Sequence, residues 1–187
     1  MQQMSHTALL VMDVQNGIVE RFATNPDVLA PFQKAVAAAR EADIPVIFVR
    51  VAFRPGFPEV SPRNKSFSAI RERGGMTSSD ASTQIHASVA PRPDEPVVTK
   101  LRVSAFAGSD LEVILRARGI ETLILTGIAT SGVVLSTLRE AADKDYQLMV
   151  LSDACLDADP EVHRVLTEKV FPRQAEVMTV AEWMDVR

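Results

Sequence analysis

Short apolar runs alternate along this chain with segments that have helical periodicity. The apolar runs are nearly continuous, with Asp13 as the one acid in the first of them, and they lack the in-and-out alternation of a strand with one solvated face. Nearly continuous runs of this length are typical of strands covered on both faces, as in a parallel sheet. The predicted strands are residues 7–14, 44–53, 95–100, 123–125, 147–151 and 175–178.

Apolar side chains at three- and four-residue spacing predict helices between these strands. Several predicted helices begin at capping residues: Asp27, Ser109, and Asp159 followed by Pro160. The alternation of strands and helices predicts a three-layer α/β/α architecture around a doubly wound, mostly parallel sheet, in a single domain over residues 1–187. The predicted helices are residues 27–42, 109–118, the segment after Gly132 and 159–171, with a terminal turn at 180–184.

The regular pattern is interrupted once, over residues 54–93. This segment is rich in Pro, Gly and Ser, and only residues 67–73 have the pattern of a helical turn or two. Connections of this length inside a compact domain are uncommon and are usually functional. The sequence leaves three alternatives open for the segment: a lid, a subunit arm or a mobile loop.

Composition excludes several classes of protein. With 187 residues and 47% apolar content the chain can bury a core. Its net charge of −4, without a basic cluster, argues against nucleic acid or an anionic membrane as partner. No apolar run approaches the roughly 18 residues of a membrane span, and the N-terminus lacks a signal-peptide pattern. One cysteine excludes an internal disulfide and a cysteine-based zinc site. We therefore predict a cytoplasmic protein.

A glycine-containing turn, residues 127–132, joins the most apolar strand to the helix that follows it. Thr130 or Ser131 is a candidate N-cap for that helix. Open α/β sheets place ligands at such turns, because a helix N-terminus offers free N–H groups and the positive end of its dipole. The alternative is an ordinary connection without a ligand.

Two charged residues follow apolar strands. Asp13 interrupts the first run and Lys100 ends the third, so both are predicted at the carboxyl edge of the sheet. A half-buried charge is costly unless it is paired, which makes an Asp13–Lys100 pair the natural arrangement. Alternatively, both are turn residues that face solvent.

Three sequence blocks carry a resemblance to a known family. They are ALLVMDVQN around Asp13, TKLRVSAFAGSDL from Thr99, and LILTGIATSGVVLSTLREAADKDY followed by DACLD. Nearly the whole chain resembles the isochorismatase-like hydrolases, a superfamily that includes nicotinamidases and other cysteine amidohydrolases. The resemblance implies the same α/β fold, hydrolysis of a small-molecule substrate at the carboxyl edge of the sheet, and a homodimer or homotetramer.

The resemblance also implies roles for individual residues. In the cysteine hydrolases of this family an aspartate, a lysine and a cysteine form a triad, and the first two fall on Asp13 and Lys100. A cis peptide bond is implied between Ile128 and Ala129, in a turn that with Gly132 directs N–H groups at an oxyanion.

The nucleophile is where this chain departs from that pattern. The family's turn reads G-x-A-T-x-x-C-V, whereas this chain reads GIATSGVV from Gly127, which puts Val133 at the nucleophile position. Valine has no lone pair and no proton, so it cannot form a covalent intermediate. Residues weighed as substitutes are Cys155, interpreted as a buried structural thiol, and the hydroxyls of Thr130, Ser131 and Ser136, which lack an adjacent base in the sequence.

Isochorismatases offer a precedent, since they also lack the cysteine and hydrolyse a vinyl ether. In that chemistry Asp13 would act as general acid and base with Lys100 as its charge partner. Two alternatives stay open: an amidohydrolase with a displaced nucleophile, and an inactive relative that binds a small molecule.

The remaining site predictions concern the lining of the pocket. Gln15, Phe22 and Phe53 are predicted to contact substrate. Nicotinamidase-type relatives carry an Asp-x-His metal motif after the second strand, but VRVAFRPGFPEVSP contains no histidine there, so neither a metal nor a cofactor is expected. His163, in a predicted helix, is interpreted as a surface or packing residue.

Overall fold

The computed structural model describes residues 6–187. Residues 1–5, the start of the stretch in which no signal-peptide pattern was found, lie outside the described residues. Six strands and seven helices are found in this part of the chain. The strands are β1 Thr7–Met12, β2 Val46–Val51, β3 Val97–Lys100, β4 Thr122–Ile128, β5 Gln147–Leu156 and β6 Glu176–Met178. The helices are α1 Asn16–Phe22, α2 Ala30–Glu41, α3 Lys65–Arg73, α4 Leu111–Ala117, α5 Leu135–Asp143, α6 Pro160–Val165 and α7 Val180–Val186.

All six strands form one parallel sheet in the order β3-β2-β1-β4-β5-β6. The chain runs outward from β1 through β2 to β3, then returns to β4 on the other side of β1. The strand order therefore reverses between β1 and β4. Open α/β sheets bind ligands in the crevice outside the carboxyl ends of the strands at this reversal.

Both faces of the sheet are covered by helices, which explains the nearly continuous apolar runs. Ala8, Leu10 and Met12 of β1 point to the face that packs against α4 and α5. Leu9 and Val11 point to the opposite face, against α2 and α7. Because both sets of side chains are buried, neither face selects polar residues. The three-layer α/β/α prediction is correct.

The helix α1 has no counterpart among the predicted elements. It is only seven residues long, its N-cap residue Gln15 makes no capping hydrogen bond, and Val19 is its only buried residue. A helix with one buried side chain has almost no periodic signal.

The segment 54–93 is less irregular than predicted, since α3 spans Lys65–Arg73. The Asn64 side chain caps this helix by accepting from the N–H of Phe67 at 3.1 Å. Phe67 is the only buried residue of α3 and anchors it to a small apolar cluster. The other buried members of the cluster are Val51, Phe53, Phe57 and Val60.

Two boundaries also differ from prediction. β5 continues to Leu156 because its register with β4 shifts between Leu125 and Gly127, after which Gly127 pairs with Cys155. The predicted helix 159–171 is divided, with α6 ending at Val165 and a wider helical turn following it. No helix among residues 6–187 is long and apolar enough to cross a membrane.

Candidate active site

The carboxyl ends of β1 and β3 bring Asp13 and Lys100 together. Asp13 directly follows β1, and its N–H donates to Val49 on β2 at 2.8 Å. Lys100 is the last residue of β3 and its long side chain reaches past β2, so that its Nζ lies 3.1 Å from Asp13 Oδ2. Only 5% of Asp13 and 2% of Lys100 is exposed. The two residues form a buried ion pair, as the pairing argument predicts, and neither is a solvent-facing turn residue.

The two oxygens of Asp13 have different surroundings. Oδ2 accepts from Lys100, whereas Oδ1 is buried without a hydrogen-bond partner among the described residues. Lys100 also donates to the carbonyl oxygen of Arg102 at 2.9 Å. Burial raises the pKa of the Asp13 carboxyl, and the nearby Lys100 offsets this only in part. An unpaired buried carboxyl oxygen with a raised pKa is suited to exchange a proton with a bound molecule.

The turn between β4 and α5 forms the adjacent wall. It contains a cis peptide bond between Ile128 and Ala129, as the resemblance implied, and Gly132 with non-helical dihedral angles. A Cβ on Gly127 would lie 2.8 Å from the carbonyl oxygen of Met12, so only glycine allows the turn to approach β1 this closely. The turn therefore reaches the edge of the sheet where Asp13 lies.

A cavity of about 500 Å³ opens at this point. Asp13 and Lys100 line it together with Ile128, Ala129 and Gly132 of the turn and the residue after it, Val133. Its other walls come from α1, α3 and the loops beside them, and they are largely apolar. Apolar side chains in these walls are Ile18, Phe22, Phe67, Ile70, Met76 and Val103.

Two arginines also line the cavity, Arg21 from α1 and Arg73 at the end of α3. Neither forms an ion pair with an acidic side chain among residues 6–187. The Arg21 guanidinium lies 5.7 Å from the centre of the Phe22 ring. Since Asp13 and Lys100 neutralise each other, these arginines give the cavity a net positive charge.

Comparison with known proteins identifies the family of this chain. The isochorismatase domain family matches residues 7–182. The chain belongs to the isochorismatase family. It is 35% identical over 178 aligned residues to ureidoacrylate amidohydrolase RutB from Pseudomonas syringae pv. syringae, which covers 83% of this chain and 72% of that protein. The protein is an isochorismatase-family hydrolase.

Solved structures of family members have the same fold. The crystal structure of a cysteine hydrolase from Pseudomonas syringae pv. phaseolicola superposes with a TM-score of 0.87 at 26% identity, covering 96% of this chain and 91% of that one. N-carbamoylsarcosine amidase from Thermoplasma acidophilum gives a TM-score of 0.74 at 27% identity, covering 93% and 96%.

Of the three side chains predicted to contact substrate, Phe22 lines the cavity of this family member, whereas Gln15 and Phe53 do not. Both polar ends of Gln15 are used by the backbone of Val51: Nε2 donates to its oxygen at 3.0 Å and Oε1 accepts from its nitrogen at 2.9 Å. Phe53 packs edge-on against Phe67 in the apolar cluster. Each of these two side chains is committed to contacts beneath the cavity wall, and their contact with substrate stays a prediction.

The residues weighed as substitute nucleophiles lie elsewhere. Cys155, Thr130, Ser131 and Ser136 are all absent from the cavity lining. Cys155 is only 2% exposed, within the apolar core, and burial raises its pKa to about 12. A thiol in this environment is protonated near neutral pH and therefore unreactive.

Sequence reasoning missed the contributions of α1 and α3 and one histidine contact. Arg21 and Arg73 lie on short helices with little periodic signal, and other charged residues neighbour both of them, so their charge did not single them out. His163 is half-buried and within 2.8 Å of Thr130 Oγ1 rather than at the surface. In residues 6–187, no group of three or more His, Cys, Asp or Glu side chains is arranged to hold a metal ion.

Proposed function

We propose that this hydrolase cleaves a small anionic organic molecule without forming a covalent enzyme intermediate. Asp13 serves as general acid and base, and Lys100 as its charge partner. The observation that carries the proposal is the unpaired Oδ1 of Asp13 beside Lys100 in an apolar cavity. Burying that oxygen without a partner costs free energy, and a bound substrate or water would supply the missing hydrogen bond.

In such a reaction Asp13 alone can both donate the proton that the substrate needs and accept the proton that water releases. With a vinyl ether as substrate, protonated Asp13 transfers its proton to the terminal vinyl carbon, and water then attacks the adjacent carbon. The water loses a proton to the Asp13 carboxylate, and the resulting hemiketal divides into an alcohol and a ketone. One water is consumed and Asp13 ends protonated, so no side chain has to form a bond to carbon.

Lys100 and the turn complete the proposed mechanism. The Lys100 ammonium stabilises Asp13 whenever the carboxyl is ionised, which keeps the proton available in both directions. Ile128, Ala129 and Gly132 of the turn line the cavity, and backbone groups of this turn are proposed to stabilise negative charge on substrate oxygen. Val133, proposed to occupy the family's nucleophile position, supplies an apolar contact in this chain.

The anionic character of the substrate is proposed from the unpaired arginines. Arg21 and Arg73 make the cavity positive although the chain carries a net charge of −4. A guanidinium matches a carboxylate with two parallel hydrogen bonds. Two relatives are named for N-carbamoyl or ureido substrates, so an amide is the alternative bond to be cleaved.

The test is a hydrolysis screen with vinyl ethers, esters and amides, each as a free acid and as a neutral counterpart. We expect turnover of acids and, during turnover, an unmodified intact mass of the quenched enzyme. Asp13→Asn should lose the activity. An acyl adduct on any residue would overturn the non-covalent mechanism, and the absence of turnover on the whole panel would instead favour a binding protein.

A further inference from the structure

A second polar cluster lies behind the turn, on the side away from the cavity. The side chain of Thr130, which is fully buried, is 2.8 Å from Nδ1 of His163 on α6. The N–H of the next residue, Ser131, donates to Oδ2 of Asp157 at 2.8 Å. Asp157 lies in the segment that joins β5 to α6, and His163 lies on α6 itself. Asp157 and His163 therefore contact two consecutive residues of the turn, Ser131 and Thr130, on the side away from the cavity.

The cluster has the composition of a hydrolase triad, but its position excludes that role. Thr130 does not line the cavity, and its hydroxyl is enclosed between the turn and α6. A nucleophile must touch the substrate, so Thr130 cannot attack it. The contacts instead constrain residues 130 and 131, which directly follow Ala129 and precede Gly132, two residues in the cavity wall.

The protonation state of His163 decides whether the contact with Thr130 is favourable for both partners. In neutral histidine, Nδ1 accepts the hydroxyl proton of Thr130 in one tautomer and donates to its oxygen in the other. In protonated histidine, Nδ1 must donate. The Thr130 proton then has to rotate away, and no other side-chain acceptor lies near this hydroxyl among the described residues.

A charged His163 would also disturb the second contact. Asp157 is the acidic group that acts on His163, and its oxygen holds the Ser131 N–H. The turn packed against His163 carries no charged side chain. On α6 itself, Glu161 is paired with Arg164 at 2.8 Å. An imidazolium would therefore compete with the Ser131 N–H for Asp157.

We propose that His163 is a positioning residue: in its neutral form it holds the Thr130–Ser131 turn in the geometry that the cavity wall requires, and acid releases it. The turnover part of this inference rests on the proposed function. The structural part does not, because the order of the turn is measurable without substrate.

The expected pH dependence follows from burial. Burial lowers the pKa of His163, and Asp157 offsets this only in part. The folded state thus disfavours the charged form, so the positioning is complete above the ordinary histidine pKa of about 6.5. It is lost as pH falls through the lower pKa of the folded protein.

The experiment compares paired variants by hydrogen exchange of peptides covering residues 129–134, at one pH near neutral. His163→Leu and Thr130→Val remove the contact and should accelerate exchange roughly tenfold, as expected for one lost hydrogen bond. His163→Asn keeps an amide group near the Nδ1 position and Thr130→Ser keeps the hydroxyl, so both should stay near wild type. His86→Leu is the matched control, because His86 makes an equally short contact to Ser88 Oγ, 2.8 Å, outside the cavity lining.

An NMR titration of the histidines and a pH–rate profile complete the test. We expect an acid limb in wild-type kcat that follows the measured His163 titration and disappears in His163→Asn, while KM at neutral pH is unchanged. Unchanged exchange in both His163→Leu and Thr130→Val would overturn the proposal. So would an acid limb that persists in His163→Asn. If wild type turns nothing over, the proposed function fails, yet the exchange data still decide whether His163 holds the turn.

Discussion

The two sides of the β4–α5 turn have different polar chemistry. On the cavity side, Asp13 keeps one oxygen buried and unpaired, and its pKa is raised by burial. On the far side, the Thr130 hydroxyl and the Ser131 N–H are each paired, with His163 and Asp157. Both sides have a buried polar group next to the same short turn, Asp13 on one side and Thr130 on the other.

This difference distinguishes polar groups that can react with a ligand from polar groups that hold the cavity wall in place. A buried group without a partner is unfavourable in the free protein and gains most from a ligand, so it marks where chemistry takes place. A buried group with a partner contributes order instead. If this distinction holds, substitutions on the cavity side should change the chemical step, and substitutions behind the turn should change only how well the wall is held.

The largest effect is expected for Asp13→Asn, which keeps the shape of the side chain but removes the proton that it exchanges. Loss of a general acid–base costs roughly 10²–10⁴-fold in kcat. Because the protonated carboxyl is the proton donor, the wild-type rate should also fall as pH rises through the raised Asp13 pKa. Steady-state kinetics across pH check both points. A kcat of Asp13→Asn within a few-fold of wild type would contradict the assignment of the chemical step to the cavity side of the turn.

Lys100→Met should have the largest effect on stability. Removing one member of a buried ion pair costs about 3–5 kcal/mol, because the other charge is left uncompensated. The loss should grow with pH, since Asp13 is neutral at low pH and charged at high pH. Urea unfolding at several pH values measures this, and the double variant Asp13→Asn, Lys100→Met should recover most of the stability. Equal destabilisation at all pH values would mean that the pair is not coupled.

Arg21→Gln and Arg73→Gln should each raise KM for an anionic substrate roughly tenfold, since a charge-assisted hydrogen bond is lost. Neither change should affect the neutral counterpart of that substrate. Arg71→Gln is the matched control, on the same helix as Arg73 but outside the cavity lining. Equal losses for acid and neutral compounds would show that the arginines support the wall rather than select charge.

The smallest effect is expected at Cys155, which belongs to neither side of the turn. Cys155→Ser should leave kcat within a few-fold of wild type, and iodoacetamide should not label the folded protein, because the thiol is buried with a pKa raised to about 12. Mass spectrometry after labelling and a rate measurement check this. Inactivation by the reagent would place a functional thiol where the structure has a packed one.

The sequence by itself determined the layered fold and offered the Asp13–Lys100 pair as one of two alternatives. Strands buried on both faces have nearly continuous apolar runs, and a parallel sheet brings their carboxyl ends to one edge. A buried charge at the end of such a run favours a partner, which supports the pair. The alternative, two turn residues that face solvent, was excluded only by the burial of both side chains in the folded protein.

Only the tertiary structure decided which other side chains line the cavity. The helices α1 and α3 each have one buried residue, so their place over the cavity depends on packing rather than on periodicity. Gln15 and Phe53 follow strands as Asp13 does, yet their side chains are used by Val51 and by the apolar cluster. His163 meets Thr130 across 33 positions of sequence. Local sequence encodes whether a residue is buried, whereas its neighbours in space depend on how distant segments pack.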